Sequence, residues 1–298
     1  MQSKANLGIS IIIPVFNEEN RITACLERIL KCCKKRKWDF EVIVVEDGSS
    51  DRTIEIVDRF HLMDKRIKLL RLPIHLGKGG SVVAAAMTAA TKQYTAYMDV
   101  DLAVDPADLE TLFRNIHEHD IVIGSRILRG DLSRVKRPFH RTVFSHFYSR
   151  LFRILFRIPI YDPQCGFKLF KSEIIPSLFR EISIIGFAFD TDLIVKAYTM
   201  GLKIREVPVN WSHGNTSTLN ILKEIRSMGL DLLSIWFHCH LRWKQNKSYY
   251  PQKKGSLFGK LLFDLLSLSN EIKSRHLKYQ ESLYKVLYLN LQKPDIRL

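Results

Sequence analysis

Two aspartates, Asp99 and Asp101, follow a short aromatic and apolar run that begins at Tyr94. The run has the composition of a buried strand, and alternate residues of an extended chain point to the same side. Both carboxylates are therefore predicted to share one face where the strand ends. Hard divalent cations prefer such oxygen ligands and also bind phosphate oxygens. The pattern predicts a metal site for a phosphate-bearing substrate, and its alternative is a solvated acidic turn.

The elements that must position these aspartates alternate between strand and helix patterns. Apolar runs predict strands over 8–16, 40–45, 67–72, 94–98 and 120–124, with helical patterns between them. This alternation predicts an α/β fold with a mostly parallel central sheet and helices on both faces. Ligands of such sheets bind beyond the carboxyl ends of the strands. Three unusual stretches fall there together, at 14–18, 46–51 and 99–105, and their convergence predicts a functional site.

The second half of the chain has a different composition. Helical patterns cover 137–158, 187–200 and 219–243, a glycine-rich turn at 75–80 precedes a helix over 81–91, and a strand is predicted over 203–209. We divide the chain into a catalytic domain over 1–218 and a helical, basic C-terminal region over 219–298. The apolar segment 257–268 predicts a bilayer contact or, alternatively, a homo-oligomer contact.

The net charge of +15 is concentrated in two segments. Residues 126–158 carry nine Lys/Arg and one acid, and residues 242–278 carry nine and two, so these segments hold +8 and +7 and the remainder is neutral. Basic patches of this kind favour a polyanionic partner: anionic lipid, nucleic acid or phosphate ligands. No aromatic and basic recognition motif supports nucleic acid, and we therefore predict a membrane surface and no nucleic-acid partner.

The arginine-rich helix over 137–158 fits a membrane interface, with an ordinary core-facing helix as the alternative. No run reaches about 18 apolar residues, so no transmembrane helix is predicted. No signal peptide is visible, and the five cysteines lack metal-ligand spacing, which predicts reduced thiols. The expected location is peripheral, on the cytoplasmic side of a membrane.

Several stretches, in order along the chain, resemble the motifs of family 2 glycosyltransferases. P-V-F-N-E at 14–18 is similar to P-x-Y-N-E, with Phe16 in place of tyrosine, and V-V-E-D-G-S-S-D-R-T at 44–53 is similar to V-V-D-D-G-S-x-D-x-T. G-K-G at 77–79 resembles the polyprenyl-phosphate branch. D-P-Q-C-G-F-K-L-F at 162–170 is very close to a motif of dolichyl-phosphate glucosyltransferases. The resemblance continues through 188–192 and 206–211 and covers about residues 8–243.

The resemblance implies a GT-A fold and hexose transfer from a nucleotide-sugar donor to a polyprenyl or dolichyl phosphate. It implies that Asp99 and Asp101 hold Mg2+ or Mn2+ against the donor diphosphate. Related enzymes have a further polar ligand where this chain has Ala103, so Asp105 or water would complete the site. The implied nucleotide-binding residues are Pro14, Phe16, Glu18, Asp47, Lys78 and Asp99.

The resemblance also implies that Arg126, Arg141 and Ser145 bind the acceptor phosphate. Arginine suits this role because its planar guanidinium holds a phosphate through two hydrogen bonds. Asp101, Arg126 and Asp192 are the implied catalytic residues. Asp192 replaces the usual glutamate and, with Asp190, would shape the sugar or acceptor pocket; a helix-capping acid is the alternative.

A phosphate acceptor predicts a single inverting displacement without a general base, because the second pKa of a phosphate monoester is about 6. The Q-C-G-F-K-L-F stretch favours glucose from UDP-glucose. Two alternatives stay open: mannose from GDP-mannose, and transfer to a hydroxyl group with Asp192 as the base.

Overall fold

The computed structural model describes residues 8–128, 139–186, 188–212, 228–237, 239, 281 and 296–297. Its centre is an eight-stranded sheet in the order β7-β5-β6-β4-β1-β2-β3-β8. The strands are β1 (Gly8–Val15), β2 (Asp39–Glu46), β3 (Ile67–Arg71), β4 (Tyr94–Met98), β5 (Ile121–Ser125), β6 (Phe167–Lys171), β7 (Ile204–Pro208) and β8 (Ile296–Arg297).

Seven named helices pack around this sheet. They are α1 (Ile22–Arg36), α2 (Thr53–Met63), α3 (Gly77–Thr88), α4 (Leu109–Ile116), α5 (Phe139–Phe156), α6 (Ile175–Arg180) and α7 (Phe189–Thr199). One turn of 3₁₀ helix, Pro106–Asp108, comes directly before α4. Residues 228–237 are also helical.

Both faces of the sheet are covered, because its central strands are apolar on both sides. β1 pairs in parallel with β2 over its whole length and with β4 on its other edge. Ile12 belongs to the core cluster on one face, whereas Ile11 and Ile13 belong to the cluster on the other. Strands buried on both faces are typical of α/β proteins. The predicted α/β fold with a mostly parallel sheet is confirmed.

β6 differs from its neighbours in direction. It lies between β4 and β5 and is antiparallel to both. Residues 162–170 were identified by their resemblance to a family motif, and no strand was predicted there. β6 inserts the motif into the middle of the sheet, and its first residue, Phe167, pairs with Met98 at the end of β4. The motif therefore reaches the edge where Asp99 follows.

Part of the C-terminal region packs on the same globule as the first 212 residues. Leu232, Ile235 and Trp236 join the core cluster that contains α3 and α7 residues. β8 pairs antiparallel with β3 at the edge of the sheet. Most of 219–298 lies outside the described residues, and the division predicted at residue 218 stays a prediction.

α5 presents apolar side chains on two faces. Tyr148, Phe152 and Phe156 are buried against the core. Phe147 and Ile154 are seven residues apart on another face, with 60% and 64% of their surface exposed. The helix predicted over 137–158 is confirmed over 139–156, and its apolar side chains are divided between core and solvent. Within the described ranges, no helix combines the length and apolar character needed to cross a bilayer.

Candidate active site

The loops that follow β1 and β2 are hydrogen-bonded to each other at the carboxyl edge of the sheet. The Asn17 side chain accepts from the Ser50 backbone N–H at 2.8 Å, and Asn17 adopts a left-handed conformation with φ of 54°. The Glu18 N–H donates to Thr53 Oγ1 at 2.9 Å, and the Glu19 N–H donates to an Asp51 carboxylate oxygen at 3.0 Å. The residues predicted from these two motifs therefore form one continuous wall.

Asp47 lies at the amino end of α3. Its two carboxylate oxygens accept the backbone N–H groups of Leu76 and Gly77, each at 2.7 Å. These groups have no partner within the helix, so a carboxylate there is stabilised by hydrogen bonds and by the helix dipole. Burial raises the pKa of Asp47, while these donors and His75 oppose that shift. Asp47 thus positions the helix that carries Lys78.

The rings of Phe16 and His75 lie next to each other, and His75 contacts Asp47. Phe16 is 48% exposed, and its ring centroid lies 4.9 Å from that of His75. His75 Nδ1 lies 2.9 Å from the Asp47 carbonyl oxygen and 3.1 Å from a carboxylate oxygen. Exposed rings held in place can stack on a planar base. His75 was not among the predicted site residues, although it begins the glycine-rich turn at 75–80.

Asp99 and Asp101 follow β4, next to Lys78 from the first turn of α3. Lys78 Nζ lies 2.8 Å from Asp99 Oδ1, so this edge already binds a cationic group. Desolvation and the neighbouring Asp99 carboxylate raise the pKa of Asp101. A divalent ion would favour the ionised form, and the two hard oxygen donors fit Mg2+ or Mn2+.

No third protein ligand accompanies these aspartates among the described residues, where no group of three His, Cys, Asp or Glu converges. Ala103 donates its N–H to Asp101 Oδ1 at 3.0 Å. Asp105 pairs with Arg28 at 2.5 Å and accepts the Ala107 N–H at 2.9 Å, which directs it away from a ligand role. Magnesium commonly keeps several waters and uses one or two carboxylates with substrate phosphates, so two aspartates are sufficient.

The 162–168 segment forms the opposite wall of the site. At Gly166, an added Cβ would lie 2.1 Å from Asp99 Oδ2, so only glycine lets the backbone approach this carboxylate. Asp162 is buried and accepts Arg126 Nε at 2.7 Å and Nη2 at 2.6 Å. Although burial opposes it, the Asp162 carboxylate raises the pKa of Arg126 above its usual value. The motif therefore contacts both the predicted metal ligand and the predicted phosphate ligand.

The predicted acceptor-phosphate residues lie on two elements. Arg126 follows β5, with 21% of its side chain exposed, and its planar fork is already paired with Asp162. Ser145 is half-buried on α5. Arg141 belongs to the same helix, but its side chain lies outside the described residues. The phosphate-binding role of the three residues stays a prediction.

Asp192 lies inside the protein and not on the wall of the site. It is 0% exposed, and one oxygen accepts the backbone N–H groups of Ser183 and Ile184 at 2.6 and 3.0 Å together with the Ser183 hydroxyl at 3.0 Å. In this position the carboxylate fixes the loop before α7, and the catalytic or pocket-lining role of Asp192 stays a prediction.

The fold and the site together define a GT-A enzyme: an α/β sheet whose carboxyl edge carries a D-x-D pair, a lysine and an exposed aromatic ring. Residues 10–179 match the protein family Glycosyl transferase family 2, and the chain belongs to this family. It is a glycosyltransferase.

Relatives of known name agree with this assignment. The chain is 32% identical over 244 residues to glycosyltransferase AglD of Haloferax volcanii, covering 80% of this chain but only 38% of AglD. It is 32% identical over 243 residues to dolichyl-phosphate beta-glucosyltransferase ALG5D of Trichomonas vaginalis, covering 78% of this chain and 74% of that protein. Glucosyl-3-phosphoglycerate synthase from Mycobacterium tuberculosis, solved with Mn2+, UDP-glucose and phosphoglyceric acid, has a TM-score of 0.58 at 17% identity, covering 78% and 81% of the two chains.

Proposed function

We propose that the protein transfers glucose from UDP-glucose to a polyprenyl or dolichyl phosphate and gives a β-linked lipid-phosphate sugar. The similarity to ALG5D, a dolichyl-phosphate beta-glucosyltransferase, supports glucose as the transferred sugar and a lipid phosphate as the acceptor. The observation that carries the proposal is the position of the 162–168 segment. Gly166 lies against Asp99, and Asp162 pairs with Arg126. The stretch most similar to dolichyl-phosphate glucosyltransferases therefore contacts both the predicted metal ligand and the predicted phosphate ligand.

The donor nucleoside is assigned to the wall formed by Pro14, Phe16, Glu18 and Asp47. Phe16 and His75 present exposed rings on which a uracil base can stack. Asp47 acts through the backbone, because both of its oxygens hold the amino end of α3. Lys78 extends from that helix end to Asp99 and supplies a positive charge for the donor diphosphate.

The reaction needs charge stabilisation at the leaving diphosphate and an ionised acceptor. A divalent ion on Asp99 and Asp101 supplies Lewis-acid stabilisation of the diphosphate when it is bound. An acceptor-phosphate oxygen attacks the anomeric carbon, a new carbon–oxygen bond forms on the opposite face, and the bond to UDP breaks. Arg126, Arg141 and Ser145 orient the acceptor phosphate. No base is required, which agrees with a buried Asp192 that already accepts three hydrogen bonds.

The lipid acceptor places the protein at a membrane surface, and we assign contact with it to the outer face of α5. This face comprises Phe147, Arg150 and Ile154, all of which are exposed, and the exposed Arg157 follows the last residue of the helix. Aromatic and aliphatic groups flanked by arginines are typical of helices that lie in an interface. The peripheral location and the cytoplasmic side are part of this proposal.

The proposal is tested by product analysis. The protein is incubated with a polyprenyl phosphate in vesicles, Mg2+ or Mn2+, and labelled UDP-glucose or GDP-mannose, and the lipid is then extracted. We expect label in the lipid fraction from UDP-glucose, and mild acid should release it as free glucose, because the bond between the anomeric carbon and the phosphate oxygen is acid-labile. Label from GDP-mannose alone would mean that the donor is GDP-mannose and not UDP-glucose. An acid-stable product formed on a hydroxyl group would overturn the phosphate acceptor.

A further inference from the structure

Lys168 is a buried lysine for which the proposed reaction has no direct use. Its side chain is 0% exposed on β6, where it pairs in register with Tyr97 of β4. Its ammonium lies 2.6 Å from Asp190 Oδ1, 2.6 Å from the Cys165 carbonyl oxygen and 3.2 Å from that of Pro163. Burying an unpaired ammonium is very unfavourable, and these acceptors compensate for the lost hydration.

Asp190 connects this buried lysine to the site. Its Oδ1 faces inward, where it accepts from Lys168 and from the Tyr97 hydroxyl. Its Oδ2 faces the carboxyl edge and lies 3.4 Å from Lys78 Nζ. One carboxylate is thus held on its inner oxygen by the core, while its outer oxygen is directed at the active site.

Lys78 lies between two carboxylates. Its ammonium is 2.8 Å from Asp99 and 3.4 Å from Asp190, and it also lies 5.7 Å from the centre of the Tyr97 ring. Lysine has a flexible four-carbon stem, so its charge is localised only when its neighbours fix it. Where Asp99 serves as a metal ligand, Asp190 is the carboxylate that keeps the Lys78 charge at this edge.

We propose that Lys168 is a positioning residue for binding of the donor diphosphate. It acts through Asp190, which directs the Lys78 ammonium to the edge occupied by Asp99. The inference rests on the proposed function, since it takes a nucleoside diphosphate as the ligand of Lys78. Because Lys168 has no exposed surface, it contacts neither donor nor acceptor. Its effect on the site passes through the groups that it binds, and of these Asp190 is the carboxylate that contacts Lys78.

The alternative is a purely structural ion pair, and the double variant Lys168→Met/Asp190→Asn separates the two roles. Asp190→Asn alone leaves the buried Lys168 ammonium without its carboxylate and should destabilise the protein strongly. The double variant removes both charges, so its stability should recover while Lys78 still lacks its second carboxylate. Isothermal titration with UDP, with and without Mn2+, measures the ligand affinity, and thermal unfolding measures the fold.

We expect the double variant to bind UDP about tenfold more weakly, the effect of losing one charged hydrogen bond. Its KM for UDP-glucose should rise by a similar factor with a smaller change in kcat. The matched control is Lys68→Met/Glu41→Gln, which removes a half-buried pair with an N–O distance of 2.9 Å that joins β2 and β3. This pair involves none of the proposed site residues, so stability should change while UDP affinity does not.

Tyr97→Phe provides a second variant should the double variant not fold. It removes only the hydroxyl that lies 3.1 Å from Lys168 Nζ and donates to Asp190, and we expect UDP affinity to fall about threefold. UDP affinity equal to that of the wild type in a folded double variant, or in Tyr97→Phe when the double variant is unfolded, overturns the positioning role. Wild-type protein that binds no UDP overturns the proposed donor and this inference with it.

Discussion

At the scale of single residues, the site is a set of charges held by neighbours that do no chemistry themselves. Asp47 caps α3, Asp162 pairs with Arg126, and Gly166 leaves space for the Asp99 carboxylate. Preorganised charges stabilise a reacting group without reorganising during the reaction. The residues that position these charges are therefore as sensitive to substitution as the ones that bind substrate.

Asp101→Asn tests the metal site. The change removes one of two anionic ligands, and we expect Mn2+-dependent UDP binding to weaken by at least about tenfold and turnover to fall about a hundredfold or more. Titration calorimetry and product formation measure these effects. Asp39→Asn is the control, because it changes an exposed aspartate that pairs with Lys92 at the start of β2. Equal losses in both variants would contradict a metal role for Asp101.

Asp192→Asn distinguishes the phosphate acceptor from the hydroxyl acceptor. A general base contributes about a hundredfold to ten-thousandfold, so its loss would nearly abolish turnover. The buried contacts of Asp192 with Ser183 and Ile184 instead predict a lower unfolding temperature and less than about tenfold loss of kcat. Steady-state kinetics on folded protein provides the measurement, and a loss of three orders of magnitude would restore the hydroxyl alternative.

At the scale of elements, α3 approaches α7 so closely that glycine is required. An added Cβ at Gly79 would lie 2.5 Å from Phe189 Cβ and 2.7 Å from the Ile185 carbonyl oxygen. Gly79→Ala is expected to destabilise the protein by about 1–3 kcal/mol and to weaken UDP binding by displacing Lys78. Urea unfolding and UDP titration measure the two effects.

Gly229→Ala is the matched control for this prediction. Gly229 is also helical, but an added Cβ there has nothing within 4 Å. The substitution should raise stability by about 0.5–1 kcal/mol, since alanine loses less conformational freedom in a helix than glycine does. Destabilisation at both positions would mean that general helix effects, and not the α3–α7 contact, determine the result.

The end of α2 gives a pH prediction. Hydrogen bonds from Arg66 and Lys34 lower the pKa of Asp64 well below its usual range. A lowered folded-state pKa stabilises the protein above the unfolded value of about 3.9, and this stabilisation disappears as pH falls through the folded value. Asp64→Asn should reduce stability at neutral pH by about 0.5–1 kcal/mol, because solvent screens the half-exposed Arg66 and Lys34.

The stability curves of this variant and the wild type should converge in acid. Urea unfolding at a series of pH values between neutrality and strong acid measures this convergence. Glu27→Gln on the exposed side of α1 should change stability by less than about 0.5 kcal/mol at every pH. A constant difference between Asp64→Asn and the wild type would contradict the assigned ion pairs.

Periodicity predicted the five strands β1 to β5 within two residues, because their apolar runs are long and end in turn-forming residues. It missed β6, which pairs with strands distant in sequence and reads locally as part of a motif. It also treated 75–80 as a turn. The α3 helix instead begins at Gly77, because the Asp47 carboxylate, from the loop after β2, accepts a backbone hydrogen bond at its amino end. The sequence around Gly77 does not reveal this distant partner.

The site was predictable to a similar depth. Asp99 and Asp101 were predicted to follow a strand, and in the structure they follow β4, with Lys78 beside Asp99. The environment of Asp192 was not predictable, because helix periodicity does not reveal which loop folds over an acidic residue. Lys168 and Asp162 were visible within a motif, yet only the antiparallel pairing of β6 with β4 brings this motif to the end of β4, where Asp99 follows.

At the scale of the whole molecule, the outer face of α5 predicts membrane binding. Phe147→Ser/Ile154→Ser removes two exposed apolar groups, and burial of such groups contributes about 1.5–3 kcal/mol each. We expect binding to phosphatidylcholine–phosphatidylserine vesicles to weaken at least tenfold, or about 1.4 kcal/mol. Sedimentation with the vesicles measures it.

Leu62→Ser/Met63→Ser is the control for the vesicle experiment. These residues, at the end of α2, are 74% and 73% exposed and therefore more accessible than Phe147 and Ile154. Vesicle binding should be unchanged in this variant. An equal loss in both variants would mean that the protein adsorbs through any exposed apolar group, and α5 would then have no special role.

The pairing of β8 with β3 has a practical consequence for shortened versions of the protein. Residues beyond about 245 lie outside the family resemblance and invite deletion, yet Ile296 and Arg297 hydrogen-bond to the outermost parallel strand. Deleting them would leave the backbone of β3 unpaired along that side, and bare strand edges recruit other chains. Self-association in a trimmed protein would thus reflect an uncovered sheet border and not a natural oligomer.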